Sequence, residues 1–189
     1  MKPENLNCVN GSFKWLLSGR PGVGKTTCMA HLAIGLGSVP VIGFITSEIR
    51  QSGKRMGFQI QPFKGNIALL AHVRGRSPWR VGRYFVFPEH LDEIIHSILA
   101  QESALGNHRR IYIIDEIGKM EAISPLFRMW VEKTLRSPWP VVATIALKGT
   151  KWIETVKQFP GVQIIILTEK NRELICQQLQ QCLQQWLSQ

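Results

Sequence analysis

Eight consecutive residues near the start of the chain, Gly19-Arg20-Pro21-Gly22-Val23-Gly24-Lys25-Thr26, fit the pattern Gly-x-x-x-x-Gly-Lys-Ser/Thr, and Thr27 follows at once. With ordinary residue usage, about 0.006 such matches are expected by chance in a chain of this length. The pattern carries a definite chemistry. Its glycines let the backbone fold so that several N–H groups point inward, and those donors, with the N-terminus of a following helix, hold phosphate oxygens. Lys25 would bridge the β- and γ-phosphates of a nucleoside triphosphate, and the Thr26 hydroxyl would ligate Mg²⁺. No Gly-x-Gly-x-x-Gly pattern is present, which argues against a dinucleotide-dependent reductase.

A second candidate constellation is Asp115-Glu116, which directly follows the apolar run Ile111–Ile114. At the carboxyl end of a buried parallel strand a carboxylate faces the ligand crevice. Asp115 suits Mg²⁺ held through water, and Glu116 is the candidate to position and deprotonate an attacking water. Plainer readings stand beside these: Asp115 as a turn cap, Glu116 as a surface acid. Glu48 and Arg50 follow another apolar run and are candidates for the γ-phosphate region, with Arg50 or Arg55 as a source of positive charge in the transition state; a surface ion pair is the alternative. Thr144 is either a γ-phosphate sensor or a core threonine. Lys119 and Arg172 are further groups that could approach a nucleotide. The histidines show no metal-ligand spacing; His90 and His96, six apart, do not share a helix face.

These groups need strands to end at them and helices to begin beside them. Phe13–Leu17 reads as a buried strand leading into the glycine-rich turn, and Lys25–Leu36 as the helix after it, with Met29, Leu32, Ala33 and Leu36 on one stripe. Val39–Ile45, Ile111–Ile114, Pro140–Leu147 and Val162–Leu167 read as further apolar strands. Leu91–Leu105, Pro125–Leu135, Lys151–Phe159 and Asn171–Leu187 read as helices, the second starting after Ser124 as N-cap with Pro125 next. Apolar strands alternating with helices imply a mostly parallel sheet covered on both faces. Between Ile49 and Pro88 the apolar runs are short and broken by Gly and Pro, which predicts an inserted antiparallel β-meander with strands at Phe58–Ile60, Ile67–His72 and Tyr84–Phe87.

That insertion, residues 49–88, also holds most of the charge excess. The 189 residues carry 23 Lys and Arg against 13 Asp and Glu, yet no acid falls between Glu48 and Glu89, where eight basic residues stand: Arg50, Lys54, Arg55, Lys64, Arg74, Arg76, Arg80 and Arg83. Such a block suits a polyanionic ligand, including nucleic acid, or is simply a solvated basic face. Trp79 among the arginines either stacks a base or packs on the meander. With 44% hydrophobic and 19% charged residues the chain can bury a core, and global disorder is excluded. Four cysteines without a C-x-x-C pair are expected as reduced thiols in a cytoplasmic protein. No apolar run is long enough to span a membrane. Residues 1–12 read as a polar N-terminal extension of a single domain over 1–189, and a monomer is favoured.

The segments GRPGVGKTT, GFITSEIRQSGKRMGFQI, ALLAHV with VGRYFVF, IDEIGKME (Ile114–Glu121) and TEKNRE (Thr168–Glu173) together resemble the THEP-type nucleoside triphosphatases, the group that includes the cancer-related nucleoside triphosphatase of animals. They fall in the family's order from residue 13 onward. The resemblance implies a RecA-like P-loop NTPase fold, an α/β sheet with the meander inserted. It also implies slow, Mg²⁺-dependent hydrolysis of nucleoside triphosphates to diphosphates with little preference among bases. The family's triphosphate loop carries onto Gly19–Thr26, and its second nucleotide-facing segment onto Ile114, Asp115, Glu116, Ile117, Gly118 and Lys119. A nucleotide or nucleoside kinase and a nucleic-acid-dependent ATPase are the competing classes; the first needs an acceptor pocket and an arginine-bearing lid, the second draws on the basic stretch. The polar extension and the arginine-rich loop 74–83 depart from the family pattern.

Overall fold

The computed structural model describes residues 13–189, so the polar extension at 1–12 lies outside the described residues. The chain runs β1 (Lys14–Gly19), α1 (Lys25–Ile34), β2 (Val41–Gln51), β3 (Lys54–Pro62), β4 (Ala68–His72), β5 (Trp79–Val81) and β6 (Tyr84–Val86). It continues through α2 (Pro88–Leu105), β7 (Ile111–Ile117), a 3₁₀ turn at Glu121–Ile123 and α3 (Pro125–Arg136). It closes with β8 (Val141–Ile145), α4 (Lys151–Lys157), β9 (Val162–Leu167) and α5 (Arg172–Leu187).

All the strands join one sheet in the order β5-β6-β4-β3-β2-β7-β8-β1-β9. From β2 to β9 every pairing is parallel, and from β2 outward to β5 every pairing is antiparallel. β2 belongs to both halves: Val41–Ile45 pair in parallel with β7, while Phe44–Gln51 pair antiparallel with β3. β8 lies between β1, which leads into the glycine-rich loop, and β7, which carries Asp115.

The buried strands alternate between two cores, as a period of two requires when both faces are covered. Leu16, Tyr112, Ile114, Val141 and Ala143 pack with α2, α3 and α4; Trp15, Leu17, Ile111, Ile113 and Val142 pack with α1 and α5. α3 begins as its sequence predicts: the Ser124 hydroxyl accepts from Phe127 N–H at 2.9 Å and Pro125 takes the first turn, a cap worth about 1 kcal/mol.

Strand extents differ from the sequence reading: β3 covers Lys54–Pro62 rather than Phe58–Ile60, and β7 runs on past Ile114 to Ile117 with Asp115 and Glu116 inside it. The second strand does not stop at Ile45 but continues to Gln51 and turns through Ser52 (φ 48°) and Gly53 (φ 75°) into β3. Two positive φ angles in a two-residue loop are the hairpin geometry whose twist matches its strands; the polar run TSEIRQ hid it because this part of the sheet extends past the cores. The three-residue β5 was not predicted. The cysteines also differ: Cys28 on α1 and Cys176 on α5 form a disulfide, Cα atoms 5.8 Å apart, in place of the expected thiols. The packing of α1 on α5 brings together residues 148 positions apart, which no local pattern reveals. Among the described residues no helix is long and apolar enough to cross a membrane.

Gly43 marks the tightest backbone approach in the parallel half. Its φ is +124°, and a Cβ there would stand 2.0 Å from the Ile113 carbonyl oxygen on β7. Gly43→Ala is therefore expected to destabilise the chain by ~3 kcal/mol or more, measured as a loss of urea midpoint, with separation of the strand that carries Asp115 as the cause.

Candidate active site

β1 ends at Gly19, and the loop that follows is closed by the hydrogen bond from Val23 N–H to the Arg20 carbonyl at 3.3 Å. Gly24, at φ +102°, takes the N-cap position of α1, and no side chain caps the helix. The first intrahelical bond is donated by Cys28 N–H to the Gly24 carbonyl at 3.0 Å. The N–H groups ahead of it have no helical partner by construction and, with the positive end of the helix, form a cradle for an anion. Lys25 Nζ donates to the carbonyls of Gly19 at 3.2 Å and Arg20 at 3.5 Å, so its ammonium lies against the loop it must serve.

Asp115 and Glu116, joined by a cis peptide bond, lie on β7 opposite this loop. Asp115 is 2% exposed. Burial pushes its carboxyl up, and hydrogen bonds from Thr144 and Thr26, the Lys25 charge and a backbone bond from Thr46 work against that. Burial likewise raises Glu116, with Lys25 opposing and Asp115 reinforcing the rise. One ammonium thus serves two carboxylates, Asp115 buried and Glu116 half-buried. The oxygen donors of Thr26 and Asp115 adjoin one another, and an all-oxygen set of this kind suits a hard divalent ion that keeps much of its water, as Mg²⁺ does.

The structure therefore brings Gly19–Thr27, Asp115, Glu116 and Thr144 to one edge. Thr144 is a fully buried core threonine whose hydroxyl is satisfied by donating to Asp115 Oδ1 from the neighbouring strand β8. Arg172, at the start of α5, donates to the Val23 carbonyl at 3.4 Å and braces the loop. The turn before it is set by Asn171, whose side chain accepts from Thr168 N–H at 2.7 Å and donates to the Ile166 carbonyl at 2.9 Å. Ile114 and Ile117 are core residues of β7, and Lys119 is exposed.

Glu48, Arg50 and Arg55 form a cluster of their own on the β2–β3 hairpin. Arg50 pairs with Glu48 at 2.6 Å, and Arg55 pairs with its other oxygen. Burial would raise Glu48, but hydrogen bonds and charge from Arg55 and Arg50 outweigh it and hold the carboxyl low. No bond links this cluster to Lys25, Asp115 or Glu116 among the described residues.

Two features were not read from the sequence. A groove of about 390 Å³ runs from Gly24 and Thr27 down between α1 and α5, over the Cys28–Cys176 disulfide, past His31, Arg172, Glu173 and Gln177. Glu121 is also buried, at 4% exposure, beside Glu116. It is the last residue of the IDEIGKME segment, so the signal lay in the sequence, but the candidate site stopped at Lys119.

The sequence profile of the family described as NTPase matches residues 14–180. The nucleoside-triphosphatase THEP1 of Thermotoga petrophila is 41% identical over 167 residues, covering 88% of this chain and 90% of that protein. The cancer-related nucleoside-triphosphatase of Homo sapiens is 33% identical, covering 89% of this chain and 95% of that one. The crystal structure of THEP1 from the hyperthermophile Aquifex aeolicus superposes with a TM-score of 0.78 at 35% identity, over 87% of this chain and 95% of that chain. The solution structure of the human protein gives 0.76 at 33% identity, over 91% and 97%.

The buried acid has a consequence for stability. Burial, reinforced by the Glu116 charge, pushes Glu121 from 4.5 up to about 8. Between those values the folded chain keeps a proton that the unfolded chain releases, so stability falls as pH rises through this window. Glu121→Gln removes the linkage. The unfolding free energy of the variant relative to the parent is expected to be flat below pH 4.5 and to grow by on the order of 5 kcal/mol towards pH 8, read from urea melts at stepped pH.

Proposed function

The chain belongs to this NTPase family, and we propose that it is a Mg²⁺-dependent nucleoside-triphosphate phosphohydrolase, yielding diphosphate and phosphate, with little preference among bases. The observation that carries this reading is the convergence of Lys25 on Asp115 and Glu116 beside the uncapped start of α1. The N–H groups of the loop and of α1 hold the β- and γ-phosphate oxygens. Lys25 exchanges the carbonyls of Gly19 and Arg20 for those oxygens, which are stronger acceptors. Thr26 and Asp115 would hold Mg²⁺, which neutralises phosphate charge when bound. Glu116 takes a proton from the water whose oxygen attacks the γ-phosphorus, and the bond to the β–γ bridging oxygen breaks.

Base tolerance fits the groove between α1 and α5. It begins where the phosphate loop ends, and its lining among the described residues includes His31, Gln177 and Gln180 and no Phe, Tyr or Trp. An amide offers both donor and acceptor on a rotatable arm, so it suits either edge of a purine or a pyrimidine. Glu48 and Arg50 enter this reading as groups that could approach the γ-phosphate once their mutual pairing is exchanged. A kinase is the weaker alternative: residues 49–88 extend the sheet as paired strands and do not form an arginine-bearing helical lid.

A second reading concerns the meander. Trp79 is 50% exposed on the edge strand β5. Arg74, Arg76, Arg80 and Arg83 are exposed around it. An open aromatic face among cations with no acid in the segment suits single-stranded nucleic acid. Replacing the four arginines by Gln is expected to leave basal hydrolysis within about twofold and to reduce the salt slope of RNA binding by roughly one unit per lost phosphate contact. RNA binding with an unchanged salt slope would remove this reading.

For hydrolysis itself, Lys25→Ala is expected to abolish triphosphate binding or turnover. Glu116→Gln should keep Mg²⁺–nucleotide affinity and lose at least ~10²-fold in phosphate release, the scale of a positioned general base. Asp115→Asn should also weaken the Mg²⁺-dependent part of binding. Single-turnover phosphate release with ATP, GTP, CTP and UTP, alongside nucleotide titration, checks all three; parental release by Glu116→Gln would take the base role from that residue.

A further inference from the structure

The Cys28–Cys176 disulfide takes no part in the hydrolysis proposed above, yet it lies one helical turn from the phosphate loop. α1 and α5 meet there in two successive rungs. In the first, Arg172 crosses to the loop: its Nη1 donates to the Val23 carbonyl at 3.4 Å, and a Cβ on Gly24 would stand 3.4 Å from its Cδ. In the second, one turn along each helix, Cys28 is joined to Cys176. Residues four apart share a helix face. The bond at Cys176 therefore fixes the part of α5 that carries Arg172. Its other end fixes the first turn of α1, where Cys28 N–H donates to the Gly24 carbonyl at 3.0 Å.

Apolar packing secures the other end of this helix pair. Met29, Leu32, Ile175, Leu179 and Leu183 share one buried core, and a Cβ on Gly35 would stand 2.4 Å from Gln180 Nε2. Beside the phosphate loop the groove opens instead, and Thr27, His31, Glu173 and Gln177 along it are polar and exposed. The disulfide and Arg172 thus carry the attachment at that end.

The same groove, about 390 Å³, is lined by both cysteines. Cys28 is 2% exposed, whereas Cys176 is half-buried, so a solute reaches the Cys176 sulfur first. A small dithiol entering the groove completes an exchange there. One of its thiolates attacks the Cys176 sulfur, the S–S bond breaks, and Cys28 leaves and takes up a proton. The second sulfur of the dithiol then closes on the first and releases Cys176 as a thiol. Two electrons pass to the protein, and the dithiol becomes a cyclic disulfide.

We propose that the Cys28–Cys176 disulfide is a redox-sensitive clamp on nucleotide binding. Oxidised, it holds α5 and Arg172 against the phosphate loop; reduced by a small dithiol, it lets that end of the helix pair part and weakens the hold on the triphosphate. The inference rests on the reading of the loop as the triphosphate site and of the groove as the path of the nucleoside. Binding and reduction then oppose one another. A nucleoside in the groove covers the Cys176 sulfur, and a ligand that prefers the clamped form favours that form by the same factor as the clamp favours the ligand.

The test uses the full chain, oxidised and after dithiothreitol, beside a Cys28→Ala/Cys176→Ala double variant under both conditions. Peptide mapping reports the state of the 28–176 bond, and circular dichroism fixes a temperature at which every form is folded. Fluorescent-nucleotide titration with Mg²⁺ then gives Kd. Reduction of the parent is expected to raise Kd about 5- to 20-fold, the usual scale of coupling between two sites. The double variant should show the reduced chain's Kd with and without dithiothreitol; if it does not fold, Cys176→Ser at the half-buried position replaces it. A saturating non-hydrolysable ATP analogue should slow reduction and shift the dithiol–disulfide equilibrium towards the disulfide by the ratio of the two Kd values. Equal Kd for the oxidised and reduced parent overturns the proposal, and so does a response to dithiothreitol that persists in the variant. Failure of the groove reading is separate: it shows as equal protection of the disulfide by inorganic tripolyphosphate, which has no nucleoside, and the Kd ratio still decides the clamp.

Discussion

A carboxylate buried at the carboxyl end of β7 sets the terms for this site. Taking an ionised group out of water costs several kcal/mol unless charge and hydrogen bonds replace the solvent. Asp115 receives those replacements from four directions: Thr144 on β8, Thr26 and Lys25 at the start of α1, and the backbone of Thr46 on β2. None of these residues is near it in sequence. The strand order makes them neighbours, because β7 is flanked by β2 and β8 and the glycine-rich loop leaves β1 one strand further on. The parallel half of the sheet can thus be seen as the device that makes a buried carboxylate tolerable at a phosphate-binding edge.

The same economy of positive charge extends outward. Lys25 acts on both Asp115 and Glu116, and no second cation is paired with this acidic cluster among the described residues. Glu121, one turn on, has no Lys or Arg counter-charge among the described residues, and burial with the Glu116 charge pushes its carboxyl up. The abundant arginines of the chain are elsewhere. Arg50 and Arg55 share Glu48, Arg80 lies over Phe85 at 4.6 Å and Arg83 over Tyr84 at 5.2 Å. The chain therefore separates two electrostatic tasks: a sparse, buried set of charges for phosphate chemistry and a dense, exposed set on the antiparallel extension.

α1 connects the phosphate loop to the rest of the fold. Its first turn forms the anion cradle, its buried face packs on β1, β7 and β8, and its flank is tied to α5 by the Cys28–Cys176 disulfide. Arg172 adds a bond from α5 to the loop itself. The groove between the two helices opens from the end of the phosphate loop, so the elements that fix the loop also shape the space into which a nucleoside would extend.

What the sequence alone determined was whatever depends on neighbours in the chain. The glycine-rich loop, its flanking strand and helix, the buried strands and the amphipathic helices were legible because backbone geometry and apolar periodicity are local properties. The placement of Asp115 and Glu116 towards the carboxyl end of a buried strand was legible for the same reason, though the strand itself runs on to Ile117. The basic block of 49–88 and its antiparallel character were visible in composition and in Gly and Pro punctuation. Tertiary structure alone decided the rest. The extension of β2 to Gln51 depended on a partner strand for a polar backbone. The pairing of Thr144 with Asp115, of Cys28 with Cys176 and of Glu48 with two arginines depended on which elements lie side by side. The burial of Glu121 against Glu116 required a turn to fold the chain back across Gly118. A side chain's proton, charge and bonding partners are set by its surroundings in space, and a linear pattern does not contain them.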